Sequence, residues 1–174
     1  VVFDGSNDHI DIDVPSLDIS SAPVTISLWT RPSSTPSSGS LIRIGALTGD
    51  SYAGMLLLVP GGMAVYRHLS AGWEYGIEWN FTPVTDVWHH FSFVHNPGTN
   101  SKFYLNGIDQ GDYDSLILGT YNNTKFADDG ASQVRLAKDH AGGSYFFHGH
   151  EADVRVYNRA LSAGEIARLA RVKQ

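Results

Sequence analysis

Gly54-Met55-Leu56-Leu57-Leu58-Val59 is followed by Pro60-Gly61-Gly62 and then by Met63-Ala64-Val65-Tyr66-Arg67-His68-Leu69. Two apolar runs of strand length on either side of a Pro-Gly-Gly turn predict an antiparallel hairpin. The same grammar extends outward in both directions. Toward the N-terminus, Leu41–Ile44 reads as a strand behind a loop at Pro32–Ser40, and Val24, Ile26 and Leu28 alternate with Thr25, Ser27 and Trp29. Ile10, Ile12 and Val14 alternate with His9, Asp11 and Asp13, the period-two pattern of a half-buried strand.

Toward the C-terminus, Trp73–Trp79, Trp88–His95 and Lys102–Asn106 read as further strands, with Asn106-Gly107 turning the chain back through Ile108. Tyr113–Leu118 reads as a short strand of poor alternation; Val134–Ala137, Tyr145–His148 and Ala152–Tyr157 complete the set. About a dozen strands with no helix until the end means a sandwich or a barrel. No repeat or linker divides the chain, so residues 1–174 read as one domain.

One helix is marked, at the end. Ser162-Ala163-Gly164-Glu165 has the form of a capping box, and Leu161 and Ile166 occupy the two positions of a hydrophobic staple. Arg168 and Arg171 suit the negative end of the helix dipole. The helix reads as a short structural tail.

Charge and composition narrow the function. A formal charge of −6 disfavours nucleic acid, whose phosphates attract a basic face. No apolar stretch is long enough to insert across a membrane as a helix. The absence of cysteine removes disulfides, thiolate metal sites and thiol catalysis together. The chain opens on Val1-Val2-Phe3 without Met, which predicts a domain excised from a longer protein.

Three segments, in order, resemble the bacterial laminin-G-like and pentraxin-like family of concanavalin A-like lectin/glucanase domains. They are Phe3-Asp4-Gly5-Ser6-Asn7-Asp8-His9-Ile10; Val24–Trp29 with Trp88-His89-His90-Phe91 and Phe103–Gly107; and Gly149-His150-Glu151-Ala152-Asp153-Val154-Arg155-Val156-Tyr157-Asn158-Arg159-Ala160-Leu161-Ser162. The resemblance implies an all-β fold, a two-sheet antiparallel jelly-roll sandwich with one sheet curved, carrying one short C-terminal helix. It also implies a secreted or cell-surface, bacterial setting. Fold alone does not supply a function, because this one hosts sugar-binding modules, adhesion modules, glycoside hydrolases and polysaccharide lyases.

A hydrolase needs two carboxylates flanking one glycosidic bond, about 5 Å apart in retaining enzymes. Glu151-Ala152-Asp153 begins the Glu-x-Asp pattern of laminarinase-like relatives, but no second Glu follows. Glu74 and Glu78 share a strand face with their backbones about 13 Å apart, too far for such a pair. The expectation is therefore a non-catalytic domain.

Asp4, Asn7 and Asp8 gather hard oxygen donors in one turn, which suits Ca²⁺. The same residues also make an Asx-rich turn in which side chains bond neighbouring amides. The resemblance implies a structural calcium ion bridging this turn and the closing strand, with Asp153 contributing; Ala152 stands where relatives carry an acidic ligand.

Trp29 and Trp88 are expected to anchor the core. In Trp73-Glu74-Tyr75-Gly76-Ile77-Glu78-Trp79 the odd positions are apolar, and the plain reading turns them inward. Three large aromatics on one strand also suggest a sugar-stacking face. The candidate ligand-binding set is therefore Tyr66, Arg67, His68, Trp73, Glu74, Tyr75, Glu78 and Trp79, with loops near Asp50-Ser51-Tyr52 and Gly142-Gly143-Ser144-Tyr145 as rivals. The function expected is binding of a glycan or polysaccharide. A protein-interaction or adhesion role and a polysaccharide lyase or hydrolase are the alternatives.

Overall fold

A computed structural model of the chain describes residues 1–14, 17, 23–33, 38–45, 53–69, 72–121, 124, 126, 133–139 and 145–171. Of residues 53, 55, 57, 68, 69, 72, 73 and 118 only the backbone is described. The strands form two antiparallel sheets. The first runs, edge to edge, through β1 (Val2–Asp4), β13 (His148–Tyr157), β3 (Val24–Pro32), β8 (His89–His95), β9 (Lys102–Leu105) and β10 (Ile108–Asp109). The second runs through β11 (Ser115–Gly119), β7 (Gly72–Asn80), β6 (Gly62–Leu69), β5 (Ala53–Val59), β4 (Gly39–Ile44), β12 (Gln133–Leu136) and β2 (Ile10–Asp13). The two ends of the chain meet in both sheets, β1 against β13 and β2 against β12. This is the jelly-roll sandwich expected. Among the described residues no helix is long and apolar enough to cross a membrane.

Period two decides what lies between the sheets. Ile26 and Leu28 of β3, Phe91 and Phe93 of β8 and Phe103 of β9 face Ile42, Ile44, Leu56, Leu58, Val65, Ile77 and Trp79 across one core. The hairpin at 54–69 pairs as its sequence predicts, Val59 against Gly62 and Met55 against Tyr66. Tyr113–Leu118 becomes the edge strand β11, and a register shift between Leu116 and Leu118 accounts for its poor alternation. Of the predicted strand Tyr145–His148, Phe146 makes an isolated bridge to Ser40 and the continuous strand starts at His148.

The outer face of the first sheet departs from expectation. Val24–Thr30 is buried throughout and not half-exposed, because this face is roofed as well. Two of its polar residues are bonded there: Thr25 Oγ1 donates to the Arg159 carbonyl at 2.8 Å and accepts from Leu161 N at 3.0 Å, and Ser27 Oγ bonds His90 Nε2 at 2.9 Å. Burial pushes His90 down to about 4, so the ring is neutral. Trp29 is buried on this outer face and not between the sheets, and Trp88 is 39% exposed. The expectation that both anchor the core is corrected: each follows or precedes an inward-facing residue and so points outward.

The roof is α1 (Ala163–Leu169). Ser162 Oγ accepts from Glu165 N, and Glu165 Oε2 accepts from Ser162 N at 2.8 Å, so the capping box is complete. Arg159 adds bonds of 2.7 and 3.2 Å to the same carboxylate. With Ser162 it holds Glu165 down at about 2. Leu161 and Ile166 pack with Val94 and Tyr104 in a second, smaller core. Ser162→Ala is expected to lower stability by about 1 kcal/mol. Urea denaturation should show it as a lower midpoint at unchanged slope, and an unchanged midpoint would contradict the cap's role.

Candidate functional site

The β6–β7 hairpin sorts the predicted ligand residues by face. Met63, Val65 and Arg67 pair with Trp79, Ile77 and Tyr75, and this set points between the sheets. Tyr75 and Trp79 are accordingly buried in the core and Arg67 is 4% exposed, with its guanidinium paired to Glu74. Burial pushes the Tyr75 hydroxyl well up. The expectation that Tyr75, Trp79 and Arg67 present themselves to a ligand is corrected, because the strand period turns them away from solvent. The side chains of His68 and Trp73 lie outside the described residues, as do residues 50–52 and 142–144.

Tyr66 and Glu78 remain on the open face of the seven-stranded sheet. Within the hairpin their cross-strand partners are the small residues Gly76 and Ala64, while on the outer sides Tyr66 pairs with Met55 and Glu78 with Ser115. Burial is the main cause that raises the Tyr66 hydroxyl, followed by the charges of Glu78 and Tyr145. Tyr145 therefore lies within electrostatic reach of Tyr66. The segment carrying it is tied to the sheet by Ser40 N donating to the Tyr145 carbonyl at 3.0 Å and Phe147 N to that of Ala137 at 2.9 Å. Tyr145 is 42% exposed. Farther along, Arg43, Arg135 and Asp11 lie opposite one another in one rung. Arg135 grips the Asp11 carboxylate with bonds of 2.6 and 2.8 Å and lowers its pKa. The two tyrosines and the carboxylate offer ring faces for stacking and a polar group for hydroxyls, while Arg43 and Arg135 are buried at 2% and 6% exposure.

The carboxylates named in the sequence do not form a hydrolytic pair. A register shift between Ala152 and Arg155 separates Glu151 from Asp153. Glu151 turns inward and is fully buried, while Asp153, at φ 52°, binds Arg155 through both oxygens at 2.9 and 3.0 Å. Glu74 is engaged with Arg67. None of these pairs flanks an open cleft.

Of the donors proposed for calcium, two carboxylate oxygens are engaged within the chain. Asp4 Oδ1 accepts from the amides of Ser6 and Asn7 at 2.8 and 3.3 Å, and Asp8 Oδ2 accepts from Asp4 N at 3.1 Å. That is the Asx-rich turn. Asp4 pairs with His148, five residues before Asp153 on β13, a span of about 16 Å along a strand. Asp153 is neutralised by Arg155. Among the described residues no three His, Cys, Asp or Glu side chains gather as metal ligands.

A family model for the concanavalin A-like lectin/glucanases superfamily matches residues 4–167. The chain belongs to this superfamily. The segments of resemblance in this concanavalin A-like domain fall on β1, β3, β8, the β9–β10 turn and β13 running into α1. No curated protein matches it.

Solved structures share the fold at low identity. Domain 4 of AbnA, a GH43 extracellular arabinanase from Geobacillus stearothermophilus, in complex with arabinotriose, superposes with a TM-score of 0.72 at 18% identity, covering 98% of this chain and 75% of that one. The SAP-like pentraxin from Limulus polyphemus gives 0.68 at 15%, covering 99% and 81%. The CBM40 of the Ruminococcus gnavus IT-sialidase, bound to α2,3 sialyllactose, gives 0.67 at 16%, covering 95% and 97%.

Proposed function

We propose that this concanavalin A-like domain is a non-catalytic carbohydrate-binding module of a secreted or surface protein, holding its glycan on the open face of the seven-stranded sheet. The observation that carries the reading is that Tyr66 and Glu78 share that face, with Tyr145, 42% exposed, near enough to Tyr66 to act on it electrostatically. A pyranose or furanose presents an apolar C–H face to a phenol ring and hydroxyls to flanking polar groups. Glu78 accepts from hydroxyls. The sugar complexes among the structural neighbours support the same class of ligand. The separation of Glu151 from Asp153 supports binding without cleavage.

A polysaccharide and glycan array tests the reading, with the wild-type domain compared with Tyr66→Ala and Tyr145→Ala. Retention of at least one glycan, weakened about tenfold or more by either substitution, is the expected result. Silence across a broad panel, or release of new reducing ends or unsaturated products, overturns it and favours the protein-contact or the enzymatic alternative respectively.

A further inference from the structure

On the opposite side of the sandwich, α1 and the β9–β10 turn enclose a groove of about 550 Å³ against the first sheet. Its lining includes Trp29, Trp88, Asn106, Ile108, Ala170 and Arg171. The turn that forms one wall is fixed. Gly107 sits at φ +81°, and a Cβ there would come within 3.1 Å of both Ala167 Cα and Ala170 Cβ. Asn106 N donates to the His90 carbonyl at 2.8 Å, and Asn106 Oδ1 accepts from His90 N at 2.8 Å. The groove is thus built into the fold before any ligand arrives.

The chemistry of its lining has one sign among the described residues. With Oδ1 of Asn106 occupied by His90, that side chain has its NH₂ group to offer. An indole only donates, and Trp29 Nε1 at the base has no acceptor among the described residues. Arg171 is exposed, donates only, and makes no ion pair among the described residues. Among the described residues no carboxylate lines the groove, in a chain whose net charge is −6. Beside these donors stand the half-open Trp88 ring, edge-on to His150 at 6.0 Å, and the exposed Ile108. An occupant must therefore bring acceptors, negative charge and an apolar ring face.

We propose that this groove is a second saccharide site that takes a carboxylate-bearing sugar residue, a uronic or sialic acid, stacked on Trp88 with its acid group toward Arg171 and Asn106. The inference rests on the carbohydrate-binding reading and adds a ligand class and a location to it. The Tyr66 face, which presents Glu78, and this groove, which presents a guanidinium, then select sugars of different charge.

The indole N–H signals in ¹H–¹⁵N spectra of the whole chain read the site directly. Trigalacturonate and 3′-sialyllactose are titrated alongside fully methyl-esterified trigalacturonate, the same chain without its charge. Saturable shifts of Trp29 and Trp88 are expected with the acids. Trp79, whose Nε1 donates to the Gly111 carbonyl at 3.1 Å, should stay still. The ester should bind at least tenfold more weakly, Arg171→Gln should bring the acids down to the ester's affinity, and Trp88→Ala should abolish the shifts. Unmoved Trp29 and Trp88 signals with both acids, or equal binding of acid and ester, overturns the proposal. If the array finds a glycan that depends on Tyr66 while these indoles stay silent, this inference falls and the general reading stands. If no glycan binds at either place, both fall.

Discussion

Glu151→Leu is expected to stabilise the domain at pH 7 by about 1–3 kcal/mol, the scale of a buried polar group without a hydrogen-bond partner. For a chain of this length that corresponds to a rise of about 5 °C in Tm. Glu151 is fully buried and neither carboxyl oxygen has a hydrogen-bond partner among the described residues. Its rung across the first sheet continues through Thr30 and His89, which are buried with Thr30 Oγ1 and His89 Nδ1 also unpartnered. Burial raises the carboxyl well above its ordinary 4.5, and the Val1 ammonium opposes the shift only in part.

The pH dependence has a definite sign. Above about 4.5 the unfolded chain ionises Glu151 while the folded chain keeps it protonated, so unfolding releases a proton. Stability then falls as pH rises, by up to about 1.4 kcal/mol per unit, until the folded carboxyl itself ionises. His90 and His95 act in the opposite sense. Burial holds both at about 4, below the ordinary 6.5, so their contribution is lost as pH falls from 6.5 toward 4. Glu151→Gln separates the two effects. The difference in urea-derived stability between this variant and the wild type should grow from pH 5 to pH 8, and parallel curves would refute the assignment.

The same residue shows where sequence reading stops. Local features were legible: the turn at Pro60-Gly61-Gly62, the alternation of β2, the Ser162–Glu165 cap. Each depends on residues a few positions apart. Nonlocal pairing was not. Asp4 and Asp153 look like partners in a list of donors, but only the β1–β13 register shows that Asp4 meets His148. The shift between Ala152 and Arg155, which sends Glu151 inward and leaves Asp153 with Arg155, has no unambiguous mark in Glu-Ala-Asp-Val-Arg. Alternation in β3 gives two faces without saying that α1 covers the second. At the candidate site, parity along β7 was enough to send Tyr75 and Trp79 inward. The approach of Tyr145 to Tyr66 required β4 and the 145–147 segment to come together.

Trp79→Ala is expected to cost about 3–5 kcal/mol, a large share of the 5–15 kcal/mol typical of a folded domain. The indole is 1% exposed and lies 5.8 Å from the Phe103 ring, 6.3 Å from Phe93 and 6.5 Å from Tyr113. Its removal opens a cavity between the sheets and deprives the Gly111 carbonyl of its donor. Trp79→Phe keeps part of the volume and the ring contacts, and should cost about half as much. Tyr66→Ala on the open face should cost no more than about 1 kcal/mol. The two aromatics stand on adjacent strands of one hairpin, so a paired measurement separates core from ligand face. Chemical denaturation should rank Trp79 far above Tyr66, and glycan affinity measured on the folded Trp79→Phe variant should rank them in reverse. A Trp79→Ala domain that kept wild-type stability and lost its glycan would place that ring on the ligand face, against the register of β6 and β7.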